Sequence, residues 1–450
     1  LRTLKRVAAL AAALFLLGGA YAYWSFQQRL VQVGDVKIDP KVSVDPERAY
    51  TLVLWEREIP LPWEPGAHAR AVGEAVAEFR KVWPNIEVEV KFLGWDEGDG
   101  LLREALESGD PPDVYSMPLG ARLFDPAWQV PVDPYLDAEA REDTLPSSLR
   151  ALTSGGSLWA WPRWVLPQVW LAREELAEAL GDRRAAWTGQ DLLDALERAE
   201  AGLRHIALNP FDGRLFLDVM VASTGRNPLD EAGRRAWTVD EMEAVLELFR
   251  ALVDRGLTGA DPERMSRTRL SSYLNGRASV VAPVSAWLLR HMLGDGGPPG
   301  ETEMAAGSAR PGGVAVPPPS AGGVPRVPAV VGGYIVFRRE PYPGDDHTKA
   351  AMLLAEHLSR RLGPWEAVRL LAVPAHLTSR EAWRSDLGLP ERELEHLVSW
   401  AEKAVAPPLA DALASRQARL VEQVLGEFLV KMWQKAPPRQ IAEEIAWAID

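Results

Sequence analysis

The 450-residue chain contains no cysteine. That excludes disulfide frameworks, thiolate metal sites, cysteine nucleophiles and a lipidated N-terminal cysteine. A surplus of basic residues is also missing. Fifty Lys and Arg stand against 63 Asp and Glu, a formal charge of −13, so the clustered cations that displace counterions from nucleic acid are not there and no nucleic-acid partner is expected. Histidine is sparse, and His68, His205, His291, His347, His357, His376 and His396 fall into no HExxH or other compact ligand spacing. There is no G-x-S-x-G, no P-loop and no G-x-G-x-x-G, hence no motif for a covalent hydrolase, a nucleotide or a dinucleotide cofactor. Paired acids such as Asp345-Asp346 and Glu443-Glu444 read as solvated faces in so acidic a chain. Sequence alone leaves open a glycoside hydrolase using Glu56 with a distant Asp.

Only one hydrophobic run is long. Arg2, Lys5 and Arg6 precede residues 7 to 20, VAALAAALFLLGGA, and Ala20-Tyr21-Ala22 has the small-x-small form of a signal-peptidase site. The uncharged run also reads through Trp24, long enough for an uncleaved membrane anchor. Either reading places the remainder outside the cytoplasm. Residues 25 to 48, with Gln27, Gln28, Asp39, Pro40, Asp45 and Pro46, show little periodicity and read as a tether.

What the chain does have is tryptophan, 18 in all. Four of them, Trp159, Trp161, Trp164 and Trp170, lie in GGSLWAWPRWVLPQVWL, which Pro162 and Pro167 prevent from being a helix interior. An indole pairs a flat apolar face with one N–H donor, so such a crossing segment suits the wall of a wet cleft that stacks on a ligand ring. Packing in a core is the alternative fate.

From Tyr50 the pattern turns regular. Thr51 to Trp55 is a short apolar run, expected of a covered parallel strand. Val72, Val76, Phe79 and Trp83 recur at helical spacing until Pro84 stops them. Ile86, Val88, Val90 and Phe92 alternate with polar residues, a period of two. A second helix carries Leu101, Leu102, Ala105 and Leu106, and Asp113-Val114-Tyr115 opens a third strand. The order βαβαβ implies a parallel sheet with binding loops at the strand ends. Asp113 is expected to receive backbone amides.

Several segments, in order, resemble the extracellular solute-binding proteins of ABC importers, in particular the carbohydrate-binding, maltose-binding-protein-like group. They are the strand ending in Trp55, AEFRKVWPNIEVEV, ESGDPPDVY, GGSLWAWPRW with VWLAREELAEALG, AWTGQDLLDAL, AVLELFRALVDRGL, NGRASVVAPVSAW, VVGGYIVFRR and AAMLLAEHLS. The resemblance implies an α/β, two-lobe periplasmic-binding-protein-like (type 2) fold with hinge crossings, preceded by an N-terminal hydrophobic helix. Residues 1-24 would be signal peptide or anchor and 25-48 linker. Lobe one would comprise 49-162 and 317-360, and lobe two 163-316 and 361-450, with crossings near Trp161 to Leu166 and Val314 to Pro318. The Gly/Pro-rich passage from Gly294 to Pro328 would contain a loop.

The implied function is a non-enzymatic receptor that holds a small solute, carbohydrate by class, and hands it to ABC permease subunits in the membrane. No metal or cofactor is implied. An anchored sensor or scaffold on the same fold is the alternative. By position the ligand contacts would be Trp55, Glu56, Tyr115, Ser116, Trp161, Arg163, Trp164, Asn209, Asp212, Trp287 and Tyr334. The chain departs from the group at Ser116-Met117-Pro118-Leu119-Gly120, which lacks the acidic residue some oligosaccharide binders carry there, and in having no lipobox cysteine.

Overall fold

The computed structural model describes residues 24–59, 61, 64–94, 97–117, 125–181, 187–199, 205–208, 212–230, 232–258, 280–282, 313–320, 326–407, 416, 417 and 419–450. Two hydrophobic cores organise them. A hairpin of β1 (Val31–Val33) and β2 (Val36–Ile38) comes first and seats Val33 and Ile38 in the first core. The expectation of a tether over 25–48 is thereby corrected, because two-residue burial on strands this short leaves no periodicity to read. Gly34 makes the turn at φ 58°, and a Cβ there would stand 2.7 Å from the Ala127 carbonyl oxygen.

The first sheet then follows the expected order. Strand β3 (Tyr50–Arg57) is parallel to both β4 (Ile86–Leu93) and β5 (Val114–Met117). Between them lie the helices Ala67–Val82, which buries Val72, Val76 and Phe79, and Gly98–Ser108. Asp113 ties the layers together as anticipated: it accepts the Val53 N–H at 2.7 Å and lies 2.8 Å from His347 Nε2. After a small hairpin, β6 (Thr153–Ser154) and β7 (Ser157–Leu158), the chain forms β8 (Trp161–Pro167) and crosses at Gln168 and Val169 to β9 (Trp170–Arg173).

The second core is built on β10 (Ile206–Leu208), β11 (Val280–Ala282), β9 and β12 (Gly313–Val316), in the order β10-β11-β9-β12. Its helices include Gly189–Arg198, Gly213–Thr224 and Val239–Asp254. Thr188 and Thr238 open the first and third of these with capping boxes. The chain returns through β13 (Val327–Val336), which lies antiparallel between β5 and β8. The helix Asp345–Leu370, β14 (Val373–Pro374), the helices Arg380–Leu387 and Glu391–Glu402, and β15 (Ala404–Val405) follow. Trp383, Leu387, Leu394, Leu397 and Trp400 lie in the first core. Two bounds of lobe two are corrected: Trp164, Val165 and Leu166 of β8 lie in the first core, and after 361 the second core takes its described residues from Leu420 to Ile449.

The indole-walled cleft read from 155–171 is also corrected. Trp161 and Trp164 belong to the first core, Trp170 to the second, and Trp159 is half-buried with its Nε1–H on the Ser154 carbonyl. Apolar area decides their place: burying a ring outweighs holding it ready for a ligand when a whole strand is covered on both faces.

The glycine pair Gly332-Gly333 accommodates these rings. A Cβ on Gly332 would sit 2.7 Å from the Trp164 indole. Gly332→Ala is expected to destabilise the chain by about 1–3 kcal/mol through overpacking. Gly73→Ala, in a helix interior with open space around it, should stabilise by about 0.5–1 kcal/mol. Urea denaturation of the two variants side by side checks both signs.

Candidate functional site

The register of β8 against β13 shifts between Gly332, opposite Trp164, and Gly333, opposite Pro162, leaving Arg163 as the extra residue of a β-bulge. A bulge turns two consecutive side chains toward one face. Both Arg163 and Trp164 accordingly reach Glu366 on the long helix. The helix can come this close because Gly363 has no side chain: a Cβ there would lie 2.6 Å from the Arg163 carbonyl oxygen.

Around this bulge a polar cluster is enclosed in lobe one. Glu366 accepts from the Arg163 guanidinium, from Trp164 Nε1 at 2.8 Å and from His68 Nε2 at 3.2 Å. Arg163 Nη1 donates to Ser116 Oγ at 2.6 Å and lies 3.6 Å from Glu56 Oε1. Tyr334 donates its O–H to Glu56 Oε2 at 2.8 Å, and its ring lies 4.3 Å under the guanidinium carbon. Glu56, Ser116, Arg163, Trp164, Tyr334 and Glu366 are all 0% exposed. Burial raises the Glu56 carboxyl above the usual carboxylate range, against the opposing pull of Arg163. Burial, and secondarily Arg163, lowers His68 to about 3, so that ring is neutral.

Glu56, His68 and Glu366 place ligand atoms within 4.8 Å of one another, a donor set that suits a divalent cation by type. Two features oppose that use. The Arg163 guanidinium already lies against both carboxylates. The Ile59 N–H donates to His68 Nδ1 at 3.2 Å, which puts the ring hydrogen on Nε2, the nitrogen that faces the carboxylates, and removes it as a ligand. The cluster is a buried ion-pair network, and its enclosure denies a solute access.

Of the eleven expected contacts, five therefore meet in this network: Glu56, Ser116, Arg163, Trp164 and Tyr334. As direct contacts of a solute they are corrected, since none has exposed surface in this arrangement. Trp161 is core, its Nε1 3.4 Å from Met352 Sδ. Tyr115 faces the other side of the sheet, donating to Asp99 at 2.9 Å where Arg57 also binds. Trp55 packs under Lys91, 4.2 Å from ammonium to ring centre. Asp212 caps the helix Gly213–Thr224 through the Arg214 N–H. Asn209 and Trp287 lie outside the described residues. His68 and Glu366 were missed, because a lone histidine and a glutamate after Gly363-Pro364 carry no local pattern.

Between the two cores runs an open groove of about 310 Å³, at the lower end of small-molecule sites. Arg150 and Thr153 line it from lobe one, Arg226, Asn227 and Asp230 from lobe two, and Ala406 and Pro407 from a crossing segment. Asn227 donates to the Ala406 carbonyl at 2.7 Å and Arg226 pairs with Glu241. Gln168 N–H donates to Pro328 O at 2.7 Å, joining two of the crossings.

No family model matches the chain, and no curated protein sequence does. Solved structures do. The GacH receptor of Streptomyces glaucescens, described unliganded and with acarbose, is 14% identical with a TM-score of 0.59 over 89% of this chain and 98% of its own. The ABC substrate-binding protein Lmo0181 from Listeria monocytogenes, in complex with cycloalternan, is 14% identical with a TM-score of 0.60 over 89% and 98%. Maltose-bound MalE3 of T. maritima is 17% identical with a TM-score of 0.60 over 89% and 99%. Shared over nearly the full length of both chains, the architecture is the two-lobe α/β fold of ABC substrate-binding proteins.

Proposed function

We propose that this protein is a non-enzymatic, extracytoplasmic receptor that holds a carbohydrate between its two lobes and hands it to an ABC importer. One observation carries the reading: over 89% of the chain the fold, two cores joined by repeated crossings, is similar to that of receptors whose structures hold acarbose, cycloalternan and maltose. The N-terminal apolar run behind Arg2, Lys5 and Arg6 supports export.

The strand ends set where contacts would lie. In open α/β sheets ligands bind beyond the carboxyl ends of the strands. Those ends are Arg57 and Met117 in lobe one and Leu208 and Ala282 in lobe two. The contacts are then assigned to the loops that follow, among which Asn209, Asp212 and Trp287 retain their proposed roles and Trp63 joins them by position. Glu56 and Ser116, each one residue short of its strand end, act beneath these loops by holding the floor rigid.

Titration with maltose, longer maltodextrins and xylo-oligosaccharides is expected to change intrinsic tryptophan fluorescence saturably for at least one sugar and to reduce the radius of gyration on lobe closure. A flat response to every sugar sinks the carbohydrate assignment. Release of new reducing ends would sink the non-enzymatic one.

A further inference from the structure

We propose that lobe one stands on a lipid bilayer by its hairpin pole, with the gap between the lobes opening away from the membrane. The apolar run of residues 7 to 24 is uncharged for 18 residues behind Arg2, Lys5 and Arg6. Eighteen uncharged residues are enough for roughly 27 Å of helix, close to the roughly 30 Å of a hydrocarbon core, and basic residues ahead of such a run favour the cytoplasmic side. The described chain takes over at its end. Residues 24–29 are helical, and Trp24 and Phe26 are 58% and 39% exposed, an aromatic pair where a membrane interface would lie.

From there the chain has no slack. Leu30 alone separates this turn from β1. Arg29 pairs with Asp39 at 2.5 Å, the Asp39 N–H donates to Asp345 at 3.0 Å, Arg338 reaches Asp35 at 3.1 Å, and Val33 and Ile38 are buried in the first core.

The seat of this hairpin fixes the orientation. It lies where β3 begins and β13 ends: Tyr50 and Arg48 both bind Asp346 at the start of the long helix, and the Arg338 N–H donates to Trp128 O. Strands β3 and β5 run away from this pole, so the loops at their carboxyl ends leave from the opposite end of the lobe. A short, folded attachment at one pole thus presents the gap to arriving solute. Delivery to a permease in the same bilayer then needs the hairpin to leave its seat, which frees residues 25–48, about 80 Å when fully extended.

The absence of cysteine makes the test direct and independent of any sugar. Full-length Lys37→Cys, on β2, and Asp254→Cys, at the end of a lobe-two helix, each carry one donor dye. They are reconstituted with phosphatidylcholine vesicles that contain some phosphatidylglycerol and an acceptor-labelled lipid. Flotation with the vesicles is expected for the full chain and is lost without residues 1–23. Energy transfer should be severalfold stronger from Lys37→Cys than from Asp254→Cys. A native protein that begins at Tyr23, failure to float, or equal transfer from the two sites would each overturn the proposal. A sugar receptor could survive all three results, so failure here is separable from failure of the carbohydrate reading.

Discussion

Arg163→Met is expected to destabilise lobe one by about 3–5 kcal/mol, the cost of leaving a buried charge without its partner. The bulge delivers Arg163 into a site with no exposed surface, where it is the one guanidinium bound to Glu366 and the one cation within 4 Å of Glu56 among the described residues. Burial already disfavours the charged form of Glu56, so the pair whose balance matters most is Arg163 with Glu366. Removing the cation strands the Glu366 carboxylate, which Trp164 and His68 hold by neutral donors alone. A neutral site of similar volume should tolerate the change, because replacing both members of a buried pair is often close to neutral. The double variant Arg163→Met, Glu366→Gln is therefore expected to regain most of the loss. Urea denaturation followed by tryptophan fluorescence reads the result, since Trp161 and Trp164 sit in the core concerned. Single and double variants of equal stability would show that the network contributes no coupling.

The same network marks where sequence reading succeeded and where it stopped. A period of two gives away β4 and a period of 3.6 the helices on either side of it, because one solvated face leaves alternation in the residues, whereas β3 shows itself as a short apolar run. The Pro-broken tryptophan run also leads to the strand that carries this network. Its purpose could not be read. Whether Trp164 stacks on a sugar or on its own lobe depends on Gly332 and Gly363, which let a strand and a helix approach it and which lie 168 and 199 positions further along the chain. Such long-range contacts leave no local period. The hairpin at 31–38 escaped for the opposite reason, since three-residue strands are too short to display one. His68 and Glu366 meet across 298 residues, and only the folded backbone brings them together.

The two lobes are expected to respond to pH with opposite signs. In lobe one, burial lowers His68 to about 3 and His376 to about 4, Arg163 and Arg360 adding to the effect. The unfolded chain takes up these protons near pH 6.5 while the folded lobe refuses them, so stability is full above that pH and is lost as pH falls toward 3 to 4. At about 1.4 kcal/mol per pKa unit, His68 alone is worth roughly 5 kcal/mol in acid. Glu56 opposes this trend within the lobe, because burial raises its carboxyl and its contribution returns as acid protonates it. In lobe two, Asp218 is 2% exposed among Leu215, Phe216 and Val219 and is pushed up to about 7, by burial first and then by Asp212, against the pull of Arg214. Its folded pKa lies above its unfolded value of 3.8, so its contribution is present below about pH 4 and is lost as pH rises to 7, a cost of roughly 4 kcal/mol thereafter. Asp218→Asn should therefore stabilise lobe two by about that amount at pH 8 and leave it unchanged near pH 4. Hydrogen exchange resolved by lobe is the measurement, with lobe one expected to open first as pH is lowered. An Asp218→Asn gain that is the same at both pH values would mean that the carboxyl is ionised throughout and that the second core accommodates its charge.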